Sequence, residues 1–166
     1  MGWQARDIPA QAGRVAVVTG ASSGLGREAS RELARRGARV IMAVRDPAKG
    51  ERVRGTILAE IPLAGLEVRR LDLSSLVSVR AFAATILATE PRLDVVIDNA
   101  GAMFAERAET AEGFERTFAT MVLGPFVLTS RLLARLLESP DARLVAVTSG
   151  GQYTQRLDLD DVDGRA

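Results

Sequence analysis

Two stretches of the 166-residue chain carry residue types that do chemistry. The first is "TGASSGLG", Thr19 to Gly26, where Gly20, Gly24 and Gly26 surround Ser22, Ser23 and Leu25. Glycine permits positive φ and lets an anion approach backbone N–H groups, and a helix that follows adds its positive end. The chemistry this predicts is phosphate binding. The spacing G-x-x-x-G-x-G differs from the G-x-G-x-x-G dinucleotide fingerprint, and no Gly-Lys-Ser/Thr follows that would make a P-loop. The second stretch is "VTSGGQYTQR", Val147 to Arg156, which holds Ser149 and the only tyrosine, Tyr153. A serine and a tyrosine this close suggest a proton-transfer pair, yet a free phenol titrates near 10 and is a poor base at neutral pH without help.

What the chain lacks narrows the chemistry. It has no cysteine and no histidine. Disulfides, thiolate nucleophiles, Ser-His-Asp triads and cysteine or histidine metal sites are therefore excluded, and no metal is expected. The acidic tail "LDLDDVDG" does not have calcium-loop spacing and has no downstream glutamate to close a site. A net charge of +1 gives no electrostatic ground for nucleic acid or an anionic membrane. The opening residues lack the apolar core of a signal peptide. The longest uncharged stretch, Thr117 to Ser130, is too short to span a bilayer and contains Gly124-Pro125. A cytoplasmic protein with no membrane span is the expectation.

The elements that must position these residues alternate along the chain. Apolar, β-branched runs at 14–19, 38–44, 66–73, 93–100 and 143–149 read as strands. All but the third are nearly continuous in apolar residues, as strands buried on both faces should be. Helices are predicted over 24–36, ending at Gly37; over 46–60, with Asp46 as cap and Pro47 in the first turn; and over 76–90, capped by Ser74 or Ser75. A last helix is predicted from about Ala111 to Leu137, kinked at Gly124 and Pro125. This alternation predicts one Rossmann-type α/β domain over 1–166, with its core in 14–150. Its parallel sheet should be doubly wound in the order 3-2-1-4-5, with a ligand crevice between strands 1 and 4.

"VTGASSGLG" resembles the cofactor loop of the short-chain dehydrogenase/reductase family. "VRDPAKGE", "LDLSSLVSVR", "DNAG" and "RLVAVTS" agree with that family in order and spacing. The resemblance runs from Arg14 to about Asp163. "AVRDPAKGE", "EGFERTFATMVLGPFVLT" and "LDLDDVD" point within it to the retinol-dehydrogenase-like and protochlorophyllide-reductase-like branch. The resemblance implies hydride transfer between a nicotinamide and a carbonyl or alcohol substrate.

Arg45 stands about 20 residues past the glycine loop, where an acid would bind the ribose 2′-hydroxyl of NAD. A guanidinium suits a 2′-phosphate instead. With Ser23, the resemblance makes NADP(H) the expected cofactor in preference to NAD(H). The alternative for Arg45 is a surface arginine paired with Asp46 or Glu51. The resemblance further implies that Asp72 and Leu73 meet the adenine, and that Ala100 and Gly101 lie against the ribose, with Asn99 holding a bond between strands. Without it, Asp72 is a turn acid and 98–101 an ordinary strand end. Ser149 falls at the family's substrate-orienting serine.

Three features depart from the family pattern. Asp98 replaces an asparagine. Met121 occupies the position of a helix asparagine and reads as core. Tyr153 comes too soon after Ser149, and no Tyr-x-x-x-Lys exists, since position 157 is leucine and the single lysine is Lys49. Tyr153 therefore reads as a surface residue. A partial chain with impaired or no activity is expected. The alternatives are a non-catalytic dinucleotide-binding module, or an interaction domain that self-associates through the 111–137 helix and an open fifth-strand edge.

Overall fold

A computed structural model describes residues 2–154 and 158–161. Within them five strands alternate with four helices: β1 (Val15–Thr19), α1 (Gly24–Arg35), β2 (Arg39–Val44), α2 (Pro47–Glu60), β3 (Leu66–Arg70), α3 (Leu76–Thr89), β4 (Val95–Asp98), α4 (Arg116–Leu137) and β5 (Arg143–Ala146). The strands form one sheet in the order β3-β2-β1-β4-β5, every neighbouring pair parallel. Val17 of β1 stands level with Ile41 of β2 and Val96 of β4, which fixes the register of the three central strands.

Alternation along the central strands builds two cores. Val17, Ile41, Ala43 and Val96 pack with Val79, Phe82 and Ile86 of α3 and Leu128 and Leu132 of α4. Ala16, Val18, Val40, Met42 and Val44 point to the opposite face and pack with Ala34 of α1 and Ile57 of α2. Because both faces are covered, β1 and β2 need apolar residues at every position, which is why they read as continuous runs rather than alternating ones. The arrangement is a three-layer α/β/α sandwich.

The helix starts follow the polar residues that precede them. Asp46 accepts a hydrogen bond from the Lys49 N–H at 3.1 Å, and Pro47 occupies the first turn of α2. Of the two serines able to start α3, Ser75 does so, accepting from the Ser78 N–H at 3.3 Å. At the N-terminal end of the sheet, Arg39 and Arg69 both bind the buried Glu90 carboxylate. Burial pushes Glu90 up, but the two guanidiniums hold it below the usual carboxylate range.

Three expectations need correction. β5 forms the open sheet edge expected of the fifth strand, but the reading of its apolar run as buried on both faces does not hold: all four residues are exposed, Leu144, Val145 and the following Val147 with them. The last helix starts at Arg116, not near Ala111. Gly113 at φ +84° and the Thr110 N–H to Phe114 carbonyl bond close a loop first, and the Glu115 carboxylate then caps the Thr117 and Phe118 N–H groups. Pro125 acts through a π turn over Ala119–Leu123, with helical backbone angles continuing through Gly124. The wider turn relieves the clash between the proline ring and the carbonyl four residues earlier. α4 is also, by length and composition alone, long and apolar enough to cross a membrane, although Leu128, Leu132 and Leu136 are buried in the core. Val122, Phe126, Leu133 and Leu137 of the same helix are exposed.

Candidate functional site: a cleft at the sheet's carboxyl edge

The strands deliver their carboxyl ends to one cleft of about 520 Å³. It opens where β1 and β4 lie side by side but their connections leave in opposite directions, the place where open α/β sheets bind ligands. Thr19 ends β1, Gly20, Ser22 and Ser23 follow it and Leu25 opens α1, while Ala43 belongs to β2 and Arg45 and Asp46 follow that strand. Leu71, Asp72 and Leu73 follow β3, Asn99 to Ala102 follow β4, and Val147 follows β5. Lys49 of α2 and Thr120 of α4 complete the wall.

Thr19 ties the floor together. Its hydroxyl donates to the Ile97 carbonyl at 3.3 Å and accepts from the Asn99 and Ala100 N–H groups, each at 3.0 Å. Asn99 returns a bond from its side-chain amide to the Thr19 carbonyl at 2.9 Å. These contacts clamp the glycine loop against the end of β4. Gly20 has φ +67°, and a Cβ there would stand 2.8 Å from the Ala100 Cα. A Cβ on Gly26 would meet the Asn99 amide nitrogen at 2.5 Å and the Gly20 carbonyl oxygen at 2.6 Å. The two glycines therefore have separate duties: Gly20 takes a left-handed turn, whereas Gly26 lets α1 begin directly beneath the loop.

Ten of the residues expected to hold a cofactor line the cleft: Gly20, Ser22, Ser23, Leu25, Arg45, Asp72, Leu73, Asn99, Ala100 and Gly101. Gly24 and Gly26 lie outside the lining, at the start of α1. Asp72 also behaves as a turn acid, since its carboxylate accepts from the Ser74 N–H at 3.0 Å and the Ser74 hydroxyl at 2.7 Å. Arg45 is exposed and makes no ion pair among the described residues. Neither acid proposed as its surface partner engages it. Glu51 pairs with Arg54 at 3.0 Å, and the Asp46 carboxylate is turned to the Lys49 N–H.

The catalytic end of the site is sparser. Ser149 lies outside the lining and beyond the end of β5, where its hydroxyl accepts from the Gly151 N–H at 3.1 Å. Tyr153 is 86% exposed on a short 3-10 turn. Leu157, four positions on, lies outside the described residues, as do residues 162–164 of the acidic tail. No group of three or more acidic side chains that could hold a metal occurs among the described residues. Met121 is not core, as its sequence position suggested; it is 44% exposed, on the stretch of α4 widened by the π turn. Its sulfur accepts from the Ala102 N–H at 3.4 Å, and its methyl lies beside Gly101. The thioether thus anchors the loop after β4 but offers no donor to a proton relay.

Asp98 is the unusual residue behind the cleft. One carboxylate oxygen accepts from the Thr129 hydroxyl at 2.8 Å, while the other is buried with no partner among the described residues. Burial pushes its carboxyl above the usual range, with the Thr129 bond opposing. An acid whose folded pKa is raised binds its proton more tightly when folded. Its stabilising contribution is complete below the ordinary carboxylate range and is lost as pH rises through the raised value. Asp98→Asn keeps the shape and removes the ionisation. It should raise stability by about 1–2 kcal/mol at about pH 8 and change it little at about pH 4. Urea unfolding at both pH values checks this; the same change at both would separate Asp98 from any titration.

The comparisons with known proteins agree with this geometry. The family described as short chain dehydrogenase matches residues 14–156. Retinol dehydrogenase 12 of Bos taurus is 46% identical over 152 residues, covering 92% of this chain and 48% of that protein. Retinol dehydrogenase 11 of Homo sapiens is 45% identical over 152 residues, with the same coverage of 92% and 48%. An uncharacterised protein of Mycobacterium paratuberculosis superposes with TM-score 0.85 at 45% identity, covering 100% of this chain and 57% of that one. A short chain dehydrogenase of Shigella flexneri 2a, crystallised with NADP, superposes with TM-score 0.74 at 32% identity, covering 87% and 62%. The chain thus spans about half the length of the curated relatives it matches. With its parallel 3-2-1-4-5 sheet, its glycine loop and these matches, the chain belongs to the short-chain dehydrogenase family, in its retinol-dehydrogenase-like branch.

Proposed function

We propose that this chain is the dinucleotide-binding part of an NADP(H)-dependent oxidoreductase that moves a hydride between the nicotinamide and a carbonyl or alcohol. The observation that carries the reading is Arg45, a cation with no ion-pair partner among the described residues, at the end of β2 on the cleft wall. The residues fit a dinucleotide. A Cβ at Gly20 would collide with Ala100, so glycine is what lets the loop lie against the end of β4 at the cleft. Ser22 and Ser23 line the same wall. Relatives of known structure support the choice of cofactor, as three of them are complexes with NADP or NADPH.

In this reading the glycine loop and the α1 N-terminus hold the pyrophosphate, and Arg45 with Ser23 hold the 2′-phosphate. Asp72 and Leu73 border the adenine, while Ala100 and Gly101 border the nicotinamide ribose. The dinucleotide, when bound, supplies or accepts the hydride. Ser149, whose hydroxyl accepts from the Gly151 N–H, would orient the substrate oxygen by donating its O–H. Tyr153, exposed and without a lysine four residues later, supplies no activated phenol. General acid–base help of the usual kind contributes about 10²–10⁴-fold to rate. The 166-residue chain should therefore bind NADPH yet reduce simple aldehydes at most weakly, on the order of a hundredth or less of the rate of a full-length relative. Following NADPH oxidation with a panel of short and long aldehydes tests this. Rapid turnover would show that the proton comes from a group other than the family's tyrosine.

A further inference from the structure

We propose that Met121 is an oxidation site at which a peroxide loosens the cleft, because its thioether holds the loop after β4. Its effect on binding rests on the reading of the cleft as a dinucleotide site; its effect on the loop does not. Composition narrows where a peroxide can act. With no cysteine in the chain, the oxidisable sulfurs are those of the four methionines. Of the described ones, Met42 is fully buried in β2, whereas Met103 and Met121 are exposed.

The two exposed methionines differ in what they hold. The Met103 side chain stands wholly in solvent. Met121 is instead part of the loop's anchorage. Its sulfur accepts from the Ala102 N–H at 3.4 Å, and its methyl lies 3.5 Å from where a Gly101 Cβ would be. Among the described residues no other acceptor reaches the Ala102 N–H. Before this point the Thr19 hydroxyl fixes the Asn99 and Ala100 N–H groups. After it, the Phe104 ring lies 3.9 Å from the Arg116 guanidinium. Between those two anchors, Gly101 and Ala102 line the cleft and are bonded through one weak acceptor.

The reaction is an oxygen-atom transfer. A sulfur lone pair attacks one oxygen of hydrogen peroxide, the O–O bond breaks, and the other oxygen leaves as water with both protons. Sulfur loses two electrons and the peroxide gains them. The product is a polar, chiral sulfoxide in place of an apolar thioether. An oxygen added on the side of Ala102 enters a gap of 3.4 Å and pushes the loop outward. An oxygen added on the other side leaves an electron-poor sulfur facing the N–H. Either epimer displaces or releases Ala102.

The test treats the 166-residue chain with hydrogen peroxide and locates the added oxygen by peptide mass. Amide hydrogen exchange in the peptide spanning 101–104 reads the loop, and titrations with NADPH and NADH read the cleft. Oxidation should speed that exchange about fivefold or more and weaken both dinucleotides about three- to tenfold. Methionine sulfoxide reductases, which restore the thioether, should reverse both changes. Met103→Leu should keep the full response. Met121→Leu fills similar space without a sulfur, so it should start with the looser loop and change no further with peroxide. The assignment is overturned if Met121 stays unmodified while Met103 is fully oxidised, or if Met121→Leu responds like the unmodified chain. Unchanged exchange or unchanged dinucleotide affinity after Met121 is oxidised would overturn it equally. An untreated chain that binds neither dinucleotide would instead overturn the cleft reading, and the exchange result would still decide the role of Met121 in the loop.

Discussion

Arg45→Asp should reverse the cofactor preference of this chain. Arg45 is the cation at the end of β2, it lines the cleft, and its two nearest acids in sequence are otherwise engaged. A charge-assisted bond to a 2′-phosphate contributes about 1.5–3 kcal/mol. Replacing the guanidinium by a carboxylate removes that bond and adds repulsion to Asp46 next to it. NADPH affinity should fall about a hundredfold or more. The new acid can instead accept hydrogen bonds from the free ribose hydroxyls of NADH, so NADH should bind a few-fold more tightly. Fluorescence titration of both cofactors against both proteins reads the outcome. A variant that weakens both cofactors equally would place Arg45 outside the ribose site.

Gly26→Ala tests the loop rather than the ribose. The added methyl would stand 2.5 Å from the Asn99 amide nitrogen and 2.6 Å from the Gly20 carbonyl oxygen. Neither neighbour is free to give way. The Asn99 amide is bonded to the Thr19 carbonyl, and Gly20 belongs to the turn whose N–H bonds the Ala43 carbonyl at 2.9 Å. Overpacking of this kind costs about 1–3 kcal/mol. Because the strain falls on the phosphate loop itself, binding should suffer more than stability, with NADPH and NADH both weakened at least about tenfold. Parallel melting curves and titrations separate the two effects. Unchanged affinity for both cofactors would show that the loop geometry does not govern binding.

The parts of this molecule that were legible in its sequence are those where a local rule and the global fold agree. β1 and β2 are apolar at nearly every position because helices cover both faces, and α2 begins at Asp46-Pro47 because a cap and a proline favour the same first turn. Gly20 and Gly26 are legible as a loop, but their division of labour is not, since it depends on Ala100 and Asn99 arriving from β4. Thr19 was missed for the same reason. A threonine ending a strand gives no sign that it bonds three backbone groups about 80 residues away. Lys49 lines the cleft only because the fold brings the first turn of α2 there. The apolar composition of β5 suggests burial on both faces, whereas its place as the last strand of the 3-2-1-4-5 order predicts the open edge that is observed. Met121 reads as core by type, yet the π turn over Ala119–Leu123 places it partly exposed beside Gly101.

The central claim is that the cleft between β1 and β4 is an NADP(H) site. It is tested most directly by titrating the unmodified 166-residue chain with NADPH and NADH, following nicotinamide fluorescence in low salt. Saturable one-to-one binding of NADPH, about tenfold or more tighter than NADH, is the predicted result. Failure of either dinucleotide to bind, or equal affinity for the two, would contradict it.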